Sequence, residues 1–144
     1  MTVLAKDFAA WAHWGQKRKY IEHPRRVSWL IEQTTKYAVF VDAAWLHDVV
    51  EDTHICLDQI KAYFGHDVAV LVAELTQTDK KFLPKHWNRA TRKAHERDRW
   101  IEASSDAKTI KLADIIDNCA SIVEADPEFA KVYLAEKRLL LPIL

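Results

Sequence analysis

Glycine occurs only twice in these 144 residues, and proline four times. A fold of many short strands needs a turn-former at nearly every connection, so a chain this poor in them is expected to be all-α. Its length is that of one ordinary domain, able to bury about 70% of the surface its unfolded form exposes, and a single domain over residues 1–144 is expected. With 49% hydrophobic and 29% charged residues, the composition excludes disordered and fibrous classes. Lys plus Arg number 21 and Asp plus Glu number 21, a balance that argues against nucleic acid or an anionic membrane as partner. Cys56 and Cys119 are isolated and lack the CxxC spacing of zinc sites, which points to a reducing compartment. The opening MTVLAKDF carries Lys6 and Asp7 where a signal peptide needs apolar residues. No apolar run approaches the ~18 residues of a membrane span, and a cytoplasmic protein is expected.

Periodicity divides the chain into about eight helices. Leu4, Phe8, Trp11, Ala12 and Gly15 form one stripe of an opening helix that ends near Gly15 to Lys19. Pro24 suits the first turn of a second, with Val27, Leu30, Ile31 and Thr34 on one face. Residues 39 to 52, VFVDAAWLHDVVED, are apolar on nearly all sides, as a helix buried in a bundle would be. Leu57, Ile60 and Phe64 make a short helix closed by Gly65, and Val68, Leu71, Val72 and Leu75 the next. A loop with Pro84 leads to a charged helix from about Asn88 to Ala103 and an apolar one from about Asp106 to Glu124. Asp126-Pro127-Glu128 is a strong start for the last, with Phe129, Val132, Tyr133, Glu136, Leu139 and Leu140 continuing it. Trp11 and Trp45 are expected in the core.

Chemistry is expected where polar residues interrupt apolar helices, because a metal ion is one of the few ways to stabilise several buried charges together. Three places qualify: His23 beside Pro24, the run His47 to Asp52, and the run Lys111 to Asn118. A His-Asp dipeptide alone carries little information, since chance delivers roughly one in such a chain. His66-Asp67 is read as a helix start capped by Asp67. His47-Asp48 differs in being followed by acids at i+4, Glu51 and Asp52, on the same side of a helix. If His47 and Asp48 hold a divalent ion, those acids are placed to orient and deprotonate a water; the alternative reading is acids at a solvated helix end. Asp114 lies among Ile110, Leu112, Ala113, Ile115 and Ile116, with Lys111 at i−3 and Asn118 at i+4; a surface Lys111–Asp114 pair is the competing reading.

Four blocks together, AHWGQKRKYIEHP (12–24), AAWLHDVVEDT (43–53), FGHDVAVLVAELT (64–76) and IKLADIIDN (110–118), resemble the HD-domain phosphohydrolases. The similarity is to the hydrolase domain of the RelA/SpoT proteins and to small alarmone hydrolases of the metazoan SpoT-homologue type. It implies a single-domain HD-type helical bundle of seven to eight helices in which His23, His47, Asp48 and Asp114 bind one divalent ion, typically Mn²⁺. It further implies that Glu51 and Asp52 handle the attacking water, that Asn118 helps hold the substrate, and that the 3′-pyrophosphate of guanosine tetra- or pentaphosphate is removed. A shell of two imidazoles and two carboxylates suits Mn²⁺, Fe²⁺, Co²⁺ or Zn²⁺.

The departures from the family lie on the substrate side. The family usually reads R-x-S-G-E-P-Y-I-x-H-P, and Arg18-Lys19-Tyr20-Ile21-Glu22-His23-Pro24 is four residues shorter. Arg18 and Lys19 are expected to stack on a base or meet a phosphate, and Lys111 to join them in binding substrate. Ile115 and Asp117 replace the family's Arg and His. These changes keep two alternatives open: another nucleotide or a phosphorylated dinucleotide as substrate, or a non-catalytic module that binds a nucleotide. The basic stretch from Lys80 to Arg99 reads as a polyphosphate clamp or a solvated helix face, with His86 and His95 on the surface. The tail Leu139 to Leu144 reads as core or as the contact of a homo-oligomer.

Overall fold

The structure, a computed structural model, describes residues 2–16 and 21–144 and is helical, with no strand among them. It forms two compact units, Met1–Thr76 and Gln77–Leu144.

The first unit contains α1 (Ala5–Ala12), α2 (Glu22–Glu32), α3 (Ala38–Leu46), α4 (Val49–Asp52), α5 (Leu57–Phe64) and α6 (His66–Leu75). Its centre is α3, which packs on α1, α2 and α6. Ala43, Ala44 and Leu46 of α3 are fully buried, and the two small side chains let neighbouring helices approach closely. Val27 and Ile31 of α2, Ile60 of α5 and Val68 and Val72 of α6 complete this core, largely as the periodicity predicts. Both glycines adopt positive φ, the only described residues to do so: Gly15 (+82°) in the turn after α1, and Gly65 (+91°) at the α5–α6 junction.

Three expectations are corrected here. The helix expected over 39–52 is two, because His47 and Asp48 form a turn between α3 and α4. Asp67 does not cap α6; Gly65 occupies that place and Asp67 sits in the first turn, where its charge meets the positive helix end. Trp11 is 60% exposed and Trp45 only half-buried, since α1 buries Ala5, Phe8, Ala9 and Ala12 instead; the fully buried tryptophan is Trp100.

The second unit contains α7 (Arg89–Ile101), α8 (Ser105–Ala125) and α9 (Pro127–Leu140), with short 3₁₀ turns at Lys80–Phe82 and Leu141–Ile143. Each long helix opens on a side chain that accepts a backbone N–H: Asn88 from Thr91, Ser104 from Ala107 and Asp126 from Phe129. α9 packs on α8, and the last turn contacts both α9 and α7. The core is Trp100, Ala107, Ile110, Ala113, Ile115, Ala130 and Leu140. The stripe α9 buries is Ala130, Tyr133, Lys137 and Leu140, which leaves the expected Phe129, Val132 and Leu139 exposed. No helix among the described residues is long and apolar enough to cross a membrane, and Cys56 and Cys119 are both free thiols.

The Asp126 cap closes the α8–α9 junction with Pro127 at the first helical position. Asp126→Ala is expected to lower unfolding free energy by about 1 kcal/mol, measured by urea denaturation. An unchanged midpoint would contradict the capping role.

Candidate metal centre

In the first unit the chain brings His23, His47 and Asp48 together. His23 lies in the first turn of α2, while His47 and Asp48 form the turn that separates α3 from α4. That turn lets two consecutive residues point at one place, which an uninterrupted helix would not allow. His47 Nε2 lies 3.1 Å from His23 Nε2 and 3.1 Å from Asp48 Oδ2, and His23 Nε2 lies 3.5 Å from Asp48 Oδ2. The other ring nitrogen of His47, Nδ1, is 2.7 Å from the Ala44 carbonyl. A carbonyl only accepts, so Nδ1 carries the proton and Nε2 of the neutral ring presents its lone pair to His23 and Asp48.

This donor set fits a divalent ion. For bonds of about 2.1 Å, adjacent ligand atoms stand about 3.0 Å apart at right angles and about 3.4 Å apart at the tetrahedral angle. The two separations of 3.1 Å fall in that range and the third, 3.5 Å, lies just beyond its upper end. The Nδ1-to-carbonyl bond is also the outer contact that orients metal-binding histidines and fixes their tautomer. His47 is 3% exposed, and burying it beside a carboxylate and a second imidazole is unfavourable unless a cation or proton is shared among them.

Glu51 and Asp52 follow in α4. The Asp52 amide donates to the Asp48 carbonyl at 2.9 Å, so the i, i+4 relation expected between these two acids survives the break in the helix. Glu51 is half-buried and Asp52 exposed, and the Asp52 carbonyl accepts from Gln16 Nε2 at 2.9 Å. The expected substrate contacts Arg18 and Lys19 lie outside the described residues.

In the second unit Asp114 is buried on α8, and both its carboxylate oxygens are engaged. Oδ2 accepts from Lys111 Nζ and Oδ1 from Asn118 Nδ2, each at 2.8 Å. The surface-pair reading does not hold, because the Lys111 and Asp114 side chains are only 16% and 8% exposed. Asp117 is buried on the same helix.

Sequence reasoning missed the groups around Asp114. Burial, followed by repulsion from Lys111 and Lys93, lowers the Lys137 ammonium to about 8 against the pull of Glu96 and Asp114. Its Nζ stands 4.7 Å from the centre of the Tyr133 ring. Burial, then the Asp114 charge, pushes the Tyr133 hydroxyl well above its usual range. Burial acts to raise the Glu96 carboxyl, yet Lys93, Lys111 and Lys137 outweigh it and the net shift is downward. The available signal was Lys137 four residues after Tyr133, within the stripe that begins at Ala130. His95 is also more than a surface histidine: its Nε2 lies 2.5 Å from Asp79 Oδ2, and its ring meets that of Trp87.

The HD domain family model matches residues 2–140. Guanosine-3′,5′-bis(diphosphate) 3′-pyrophosphohydrolase MESH1 of Homo sapiens is 39% identical over 132 residues, which cover 86% of this chain and 70% of that protein. The Xenopus tropicalis protein of the same name is 38% identical over 137 residues, covering 89% and 73%. The solved structure of a metazoan ortholog of SpoT that hydrolyzes ppGpp superposes with a TM-score of 0.82 at 30% identity, covering 96% of this chain and 82% of that one.

The low Lys137 value has a consequence for stability. In the unfolded chain the ammonium returns to about 10.5, so between pH 8 and 10.5 the unfolded state holds a proton that the folded state has released. Stability therefore rises with pH across that window. In metal-free protein, Lys137→Met should remove this rise, so that its unfolding free energy relative to wild type falls between about pH 7.5 and pH 9.5. A difference independent of pH would contradict the assignment.

Proposed function

The chain belongs to the HD domain family, and from that premise we propose that it is a metal-dependent phosphohydrolase removing the 3′-pyrophosphate of guanosine tetra- or pentaphosphate. The observation that carries the chemistry is the convergence of two imidazole nitrogens and one carboxylate oxygen within 3.5 Å, where His23 meets the His47-Asp48 dipeptide. The similarity to hydrolases of this substrate supports the substrate class.

In this reading His23, His47 and Asp48 are ligands from the first unit and Asp114 is the ligand expected from the second. Mn²⁺ is the proposed ion, as oxygen and imidazole donors without thiolate suit it. A divalent ion held there supplies Lewis acidity, which makes water easier to deprotonate and offsets charge at phosphorus. Glu51 and Asp52 are assigned the proton of the attacking water. The water oxygen forms a bond to phosphorus as the bond from phosphorus to the 3′-oxygen breaks, and a proton goes to that oxygen, leaving a 3′-hydroxyl and pyrophosphate. Lys111 and Asn118, which hold the Asp114 carboxylate by both oxygens, are proposed to contact phosphate, and Arg18 and Lys19 the base or a phosphate. The reading also carries a cytoplasmic location and a small-molecule nucleotide as partner.

A second substrate reading, another nucleotide or a phosphorylated dinucleotide, is favoured by one feature, the four-residue shortening before His23. A competition assay in Mn²⁺ with guanosine tetraphosphate and such compounds separates the two. Release of pyrophosphate from the tetraphosphate is the expected result, and failure to turn over any phosphorylated compound with metal bound would overturn the proposal.

His23→Ala and Asp114→Ala should each lose bound metal, read by elemental analysis, together with activity. Glu51→Gln keeps shape without basicity and should retain metal while turnover drops by about 10²-fold or more. Metal retained at full stoichiometry in both ligand variants would show that the assigned ligand set is wrong.

A further inference from the structure

Outside the groups assigned to catalysis, the second unit carries a groove of about 600 Å³ between α7 and α9. One wall is a row of cations at helical spacing on α7, Arg89, Lys93 and Arg97. The floor is a second apolar stripe on α9, Val132, Ala135 and Leu139, one turn apart and on the side away from the stripe that helix buries. Val132 is 46% exposed and Leu139 60%. The single acid lining the groove, Glu136, is taken up by Arg89, with Nε and Nη2 at 2.5 and 3.1 Å from its two oxygens. That bidentate pair ties the α7 side chain to α9 and neutralises the one charge that would repel an anion.

The other cations differ in commitment. Lys93 shares its charge with Glu96 at 2.8 Å, and Lys131, at the edge, makes a solvent-exposed pair with Glu128. Arg97 makes no ion pair with any described residue, although its side chain is half-buried. A guanidinium held in this way beside an open apolar strip offers two-point recognition of an oxyanion and a dry surface for the rest of the same molecule. Residues 89 to 97 span about 12 Å of helix, the length of a small organic molecule.

We propose that this groove is a ligand site separate from the catalytic centre, and that it takes a small amphipathic anion. Its phosphate, carboxylate or sulfonate group lies at Arg97 and its flat or aliphatic body lies on Val132, Ala135 and Leu139.

Naphthalene-2-sulfonate is a suitable probe because it cannot be hydrolysed. Titrated into the whole chain and followed by amide NMR shifts, it should perturb residues 89–97 and 131–139. Naphthalene-2-sulfonamide, which has the same body without the charge, and inorganic sulfate, which has the charge without the body, should each bind at least about fivefold more weakly. Arg97→Gln should weaken the sulfonate by a similar factor, and Leu139→Ser, which leaves every charge in place, should do the same. Equal binding of sulfate would reduce the site to a surface anion contact. Equal binding of the sulfonamide, shifts confined to residues outside the groove, or no saturable binding would each overturn the proposal.

Discussion

A buried imidazole whose Nδ1 is committed to a backbone carbonyl has only Nε2 left to offer, and in this protein that atom is surrounded by another imidazole and a carboxylate. His23 Nε2 is within hydrogen-bond distance of that atom at 3.1 Å, and the same three atoms form the donor set that a divalent ion demands. The local fold follows this demand. α3 stops at Leu46, His47 and Asp48 turn, and α4 resumes for four residues, a break that aims neighbouring side chains at one point. Fully buried Ala43, Ala44 and Leu46 on one side of the break and Val49 on the other hold it in place.

The second unit meets a similar demand with cations from its own chain. Asp114 is held by Lys111 and Asn118, and the field around it is shaped by Lys137, Lys93 and Glu96, with Tyr133 alongside. Burial first, and then the neighbouring ammonium groups of Lys111 and Lys93, make Lys137 release its proton easily, while Lys93, Lys111 and Lys137 let Glu96 hold its charge despite burial. Such a field is suited to polyanionic chemistry. On the outer side of α7 and α9 the same helices present a cationic row, Arg89, Lys93 and Arg97, in which Lys93 is shared with the interior group around Glu96.

Much of the candidate centre was legible beforehand because it rests on covalent spacing. Lys111 and Asn118 lie at i−3 and i+4 from Asp114, and helical geometry alone brings them to its two oxygens. The caps Asn88, Ser104 and Asp126 belong to the same class of local signal, although only Asp126 stood out in advance. Lys137 is not legible in this way, since a lysine in the stripe with Tyr133 and Leu140 reads as a solvated residue, and the helix carries two stripes. Trp11 lies off the stripe that α1 buries, Ala5, Phe8, Ala9 and Ala12, a choice of face that small side chains leave illegible in sequence.

The residues themselves determined the all-helical class, most element boundaries and the identity of the polar groups set into apolar helices, because turn-formers, caps and 3.6-residue periodicity act over a few neighbours. Only the tertiary structure decided that His23 meets His47 across 24 positions, that α3 breaks at the His-Asp pair, and which of two stripes on α9 faces inward. Those outcomes depend on which surfaces exclude water together, a property of the packed helices that no short window of sequence contains.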